Sequence, residues 1–95
     1  MQFETFRQSI KDGAAPADLS IYLQAMWYDA HGDWDKAHHM VDRLDDATAC
    51  LVHAYLHRKE GDIWNADYWY NKAKQTRPNI SLEKEWEQLV LQFLD

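Results

Sequence analysis

The chain has 95 residues, 46% of them apolar, and a formal charge of −6 from 16 acidic and 10 basic side chains. That length supports one core, burying about 60–65% of the surface the extended chain exposes, and five Trp, five Tyr and three Phe favour a packed fold over disorder. The acidic excess sits mostly in residues 1–49 and argues against the cationic surface that sequence-independent nucleic-acid binding requires.

No apolar run approaches the 18 or so residues of a membrane span, and Glu4 and Arg7 interrupt the region where a signal peptide needs an unbroken apolar core. Cys50, the single cysteine, excludes an intramolecular disulfide and, between Ala49 and Leu51, reads as a small buried side chain. A soluble cytoplasmic protein without membrane association is the expectation.

Phe3, Phe6 and Ile10 recur at helical spacing over residues 2–11, and Asp12-Gly13 ends that short amphipathic helix. Pro16 and Asp18 are expected to open a second helix running through Leu19, Tyr22, Leu23, Met26, Trp27 and Ala30, closed by Gly32 in a left-handed conformation. Asp33 caps a third helix over about 33–44, with Trp34, Ala37, Met40, Val41 and Leu44 as its apolar stripe. A fourth spans about 47–60 and ends at Gly61. A fifth runs from Asp62 to about Gln75, where Pro78 forbids continuation. Ser81 caps a sixth, with Leu82, Trp86, Leu89, Val90 and Phe93 on one face and Glu83, Lys84, Glu85 and Glu87 largely on the other. No segment alternates with a period of two, so strands are not expected.

Ala25, Gly32, Asp33 and Ala37 recur 29 residues later as Ala54, Gly61, Asp62 and Ala66. Such a period signals stacked helical hairpins, in which small residues let facing backbones approach. The second unit, with Ala54, Gly61, Ala66, Tyr70, Ala73 and Pro78, resembles a tetratricopeptide repeat. The first, with Ala25, Tyr28, Gly32, Ala37 and Val41, looks like a degraded copy that carries Leu44 where a small residue is usual, and the spacing is five residues short of the family's 34.

The resemblance covers roughly residues 19–78 and implies an all-α fold of five to six helices in a right-handed superhelix of antiparallel hairpins. Residues 1–17 form an N-terminal cap, 18–45 and 46–78 the two repeats, and 79–95 a C-terminal cap. It further implies that the first helix of each hairpin lines a concave binding face, at Tyr22, Met26, Asp29, Leu51, Tyr55, Arg58 and Lys59. Arg58 and Lys59 would grip a carboxylate or an acidic peptide segment there, with Tyr and Met giving adaptable apolar contact. The alternative role for the pair is to complement a helix C-terminus.

His53 and His57 stand four apart on one helix with Glu60 three further on, a spacing that places three potential metal ligands on one face, and His31, His38 and His39 add more. The Glu that follows the first His in zinc hydrolase helices is missing, and the competing expectation is two packing histidines bonded to a carboxylate such as Asp42 or Glu60. Ser9, Ser20 and Ser81 lack a nucleophile elbow, Cys50 lies in an apolar context, and no Gly-rich phosphate loop exists, so neither enzyme nor cofactor chemistry is expected. Trp69 and Tyr70 read as core, and Trp64 and Tyr68 as a surface patch suited to an interface or homodimer contact. The sequence therefore reads as a non-catalytic protein- or peptide-interaction module, with a small metal-binding protein using His53 and His57, or a homodimeric structural protein, as the alternatives.

Overall fold

The structure, a computed structural model, describes residues 1–94. Its six helices are α1 (Phe3–Asp12), α2 (Ile21–Ala30), α3 (Trp34–Val41), α4 (Ala47–Lys59), α5 (Ile63–Lys72) and α6 (Leu82–Leu94), and the described residues include no strand. The all-α fold expected from periodicity is the fold observed.

The 29-residue repeat has a local cause. At the end of α2, Gly32 takes φ 91°, its N–H donates to Asp29 O at 3.0 Å, and the N–H of Asp33 donates to Tyr28 O at 2.8 Å. At the end of α4, Gly61 takes φ 90°, donates to Arg58 O at 3.1 Å, and is followed by Asp62 donating to His57 O at 3.0 Å. These are the paired bonds of a left-handed helix stop, and at φ near 90° both favour a residue without a Cβ. Asp33 and Asp62 then turn their carboxylates to the next helix, accepting from Lys36 N at 3.1 Å and Asn65 N at 3.3 Å. Each Gly-Asp pair thus ends one helix and starts the next within a three-residue turn. The most extensive helix contacts join the elements either side of it, α2 to α3 and α4 to α5. Ala25, Ala37, Ala54 and Ala66 are all fully buried, as close helix approach requires.

Three boundaries differ from the sequence reading. Asp18 adopts φ 63° in a turn, so α2 starts after Ser20, whose Oγ accepts from Leu23 N at 3.2 Å. The third helix stops at Val41 rather than near residue 44. Lys74, at φ 60°, stops α5 well before Pro78, with Gln75 N donating to Tyr70 O at 2.9 Å.

The radius of gyration is 12.4 Å, which is about what a compact domain of this length has. The reason is α6. Instead of extending the stack beyond α5, it lies across α2 and α4 and touches α1. Trp86 supplies the anchor: its Nε1 donates to Met26 O at 3.1 Å, and its ring meets Phe3 and Phe6 at centroid distances of 6.0 and 6.1 Å. Phe93 packs on Tyr22 at 6.0 Å.

Glu85, placed by the sequence reading on the solvent face of α6, is 3% exposed. Its carboxylate accepts from Arg58 Nη1 at 2.7 Å and from the Tyr70 hydroxyl at 2.5 Å, and Arg58 also donates to the carbonyl of Ile80. Burial and this carboxylate together raise the Tyr70 hydroxyl above the ordinary phenol range. Removing one member of such a buried pair leaves the other charge without a partner. Glu85→Ala should lower unfolding free energy by about 3 kcal/mol in urea titrations, whereas Glu4→Ala, which breaks an exposed pair with Arg7, should cost less than about 1 kcal/mol.

Candidate functional site

The residues expected to line a concave face are brought together, and most of them are covered. Met26 is fully buried, Tyr55 is 3% exposed, and Tyr22 and Leu51 are half-buried. Tyr22 carries Phe93 on its ring and donates its hydroxyl to Asp46 at 2.8 Å, and Arg58 holds Glu85. Helix α6 thus lies against Tyr22, the Met26 carbonyl and Arg58 on this face. The contacts that hold α6 there are Trp86 against Met26 O, Phe3 and Phe6, Phe93 against Tyr22, and Glu85 against Arg58. The carboxylate that Arg58 was expected to grip comes from the chain itself.

What remains open is a groove of about 510 Å³ where α6 diverges from α1, α2 and α4. Phe3, Tyr55, Leu82 and Trp86 supply its apolar wall, and Arg7, Lys84, Glu83 and Glu87 its charged rim. At its side, Lys59 Nζ reaches both oxygens of the buried Asp29 carboxylate at 3.0 and 3.1 Å. Burial pushes the Asp29 carboxyl above its usual range, and the bond to Lys59 opposes that push. Lys59 and Asp29 therefore neutralise each other, which leaves the groove apolar with charges of both signs at its edge.

A second cluster lies between the two hairpins. Helix α3 contributes His38, and α4 contributes His53 and His57 one turn apart. One ring nitrogen from each of the three lies within 4.8 Å of the other two. The Nε2 atoms of His38 and His53 are 2.9 Å apart, and His57 Nδ1 is 2.6 Å from Glu60 Oε2. Trp34 stacks on His38 with centroids 4.9 Å apart and planes within 9°, and Trp69 stacks on His53 at 4.0 Å and 13°. Trp34 is itself held by its Nε1 bond to Leu56 O at 2.8 Å. Among the described residues, His53 Nδ1 and Asp42 Oδ1 are the buried side-chain polar atoms without a hydrogen-bond partner. The packing expectation of a carboxylate partner for each histidine is met at His57, by Glu60, and not at His53, whose Nε2 faces His38. Leaving such atoms unpaired costs about 1–3 kcal/mol each.

The sequence singled out His53 and His57 but could not pair them with His38, because helical spacing orders residues on one helix and says nothing of which neighbour faces them. Trp34 and Trp69, each on the helix that packs beside α4, offered no signal beyond their helical register. Cys50 is buried, its Sγ lies 3.6 Å from Asp45 O, and burial raises its thiol pKa, so it is an inert core residue. Ser9 is equally structural, donating to Phe6 O at 2.6 Å and accepting from Trp27 Nε1 at 3.0 Å. Trp64 and Tyr68 are 81% and 50% exposed, as the patch reading expected. Comparison with protein-family models, curated proteins and solved structures finds no match to this chain.

Burial, followed by the neighbouring charges of His38 and His57, lowers the His53 pKa from 6.5 to about 4, and burial lowers that of His38 as well. Between pH 6.5 and 4 the unfolded chain binds a proton at residue 53 that the folded chain does not. Stability from this residue is therefore complete above pH 6.5 and is lost as the pH falls toward 4. Urea unfolding in chelator-containing buffer should show a loss on the order of 2 kcal/mol between pH 7 and 4.5, with a shallower slope in His53→Gln.

Proposed function

We propose that this chain is a non-catalytic protein- or peptide-interaction module built from two tetratricopeptide-like hairpins, acting in the cytoplasm, and that its partner enters the groove between α1, α4 and α6. The observation that carries this reading is the groove itself, about 510 Å³ with the half-buried Trp86 and Leu82 on its wall and Tyr55 at its base, because aromatic and aliphatic walls with a charged rim are the anatomy of a recognition surface. The neighbouring face of α2 and α4 already holds one amphipathic helix, α6, by the helix-in-groove mode. An amphipathic segment, seating its apolar side chains on Trp86 and Leu82 and its charges against Lys84 and Glu87, fits the same chemistry. No helix of the described residues is long and apolar enough to cross a membrane.

A photocrosslinking residue placed at Lys84 should trap a partner that the same residue at Asp35, exposed on α3 away from the groove, does not. Ala30→Trp, which fills the groove from the end of α2, should abolish the crosslink without lowering the melting temperature. Equal trapping at both positions, or trapping that survives the filled groove, would count against the reading.

Self-association is favoured by a separate observation, the exposed Ile63, Trp64 and Tyr68 on α5. On that reading sedimentation equilibrium should find a dimer for the natural chain and a monomer for Trp64→Asp.

A further inference from the structure

We propose that His38, His53 and His57 form a binding site for one zinc-class divalent cation, held between α3 and α4 by three imidazole nitrogens. This inference is independent of the groove and of any partner bound there.

The geometry begins with separation. A tetrahedral ion bound at 2.0–2.1 Å holds its ligand nitrogens about 3.3 Å apart. The two nearest here stand at 2.9 Å and all three lie within 4.8 Å of one another, so shifts of about an ångström or less bring them to a common centre. All three rings are already oriented. Trp34 and Trp69 stack on His38 and His53, and Glu60 fixes His57 through Nδ1 at 2.6 Å. With its proton on Nδ1, His57 presents an Nε2 lone pair whose present contact is a long one, 3.4 Å to the Asn65 amide. A carboxylate holding the far nitrogen of a metal-bound imidazole is the usual outer support of such sites.

The close contact between His38 and His53 supplies the next step. In neutral rings one of these Nε2 atoms carries a proton and the other accepts it. A cation taking both lone pairs moves that proton to the far side of a ring. For His53 the far side is Nδ1, a buried atom without a partner, and the other partnerless buried atom is an oxygen of Asp42, whose charge already acts on His53. Metal binding would thus place the proton on a buried nitrogen that now has no partner, within the field of the Asp42 carboxylate. Three nitrogens from neutral imidazoles suit zinc and its neighbours in the transition series rather than calcium or magnesium. His38 is only partly buried, and the fourth position falls to water or an outside ligand.

The test uses the untagged chain stripped by chelator and titrated with zinc chloride, followed by calorimetry and by imidazole nitrogen NMR. One equivalent should bind, the nitrogen resonances of His38, His53 and His57 should move together, and the melting temperature should rise. His38→Gln and His53→Gln should each weaken affinity by about 100-fold, and Glu60→Gln by about 10-fold, while His39→Gln leaves it unchanged. The absence of stoichiometric binding overturns the proposal. So does a shift confined to His57, which would place the ion instead against the exposed carboxylates of Glu60 and Asp62 beside it. Because the NMR readout needs only the natural chain, a substitution that unfolds the protein leaves the test decisive.

Discussion

The docking of α6 across α2 and α4 is the constraint on which the rest of the molecule depends. It is held by an apolar contact, Trp86 against Phe3, Phe6 and the carbonyl of Met26, and by a polar one, Glu85 against Arg58 and Tyr70. The two have different jobs. The apolar contacts contribute buried area and therefore favourable free energy, while a buried ion pair yields little net stability after desolvation and penalises every register in which it is broken. Only one placement of α6 satisfies both, and that placement seals the face that two short hairpins would otherwise leave open.

Sealing that face changes what the fold can offer a partner. Arrays of helical hairpins expose a concave surface because neighbouring repeats cover only the ends. Here a single helix fills most of the equivalent surface, and the remaining groove is bounded by that same helix. Any segment bound there touches α6 and the hairpins at once, so groove occupancy and α6 docking share Trp86 and Leu82. Arg58, attractive in sequence as an anion-binding residue, is in fact a tie between α4 and α6.

The interface between α3 and α4 is the other place where local and tertiary demands diverge. Elsewhere the buried polar groups Glu85 and Asp29 are paired with Arg58, Tyr70 and Lys59, but this seam holds three histidines between two tryptophans and leaves two polar atoms without partners. Flat stacked rings satisfy the faces of the imidazoles and leave their in-plane nitrogens to find each other. Polar groups so arranged are costly in a core unless something binds them, and the cost falls on a seam between the two hairpins.

Much of this protein was determined by its sequence acting locally. The six helices, the Gly-Asp turns that repeat at Gly32 and Gly61, the caps at Asp33, Asp46, Asp62 and Ser81, and the buried alanines all follow from φ freedom, side-chain capping and the 3.6-residue period, which act within a few residues of one another. The exceptions were local as well: Asp18 and Lys74 adopt left-handed conformations that residue type alone does not demand. Tertiary structure alone decided that Glu85 faces inward, that α6 covers Tyr22, Met26 and Tyr55 instead of capping α5, and that His38 meets His53 and His57. Each of those outcomes joins residues 15 or more positions apart, and helical periodicity orders the faces of one helix without specifying which helix each face will meet.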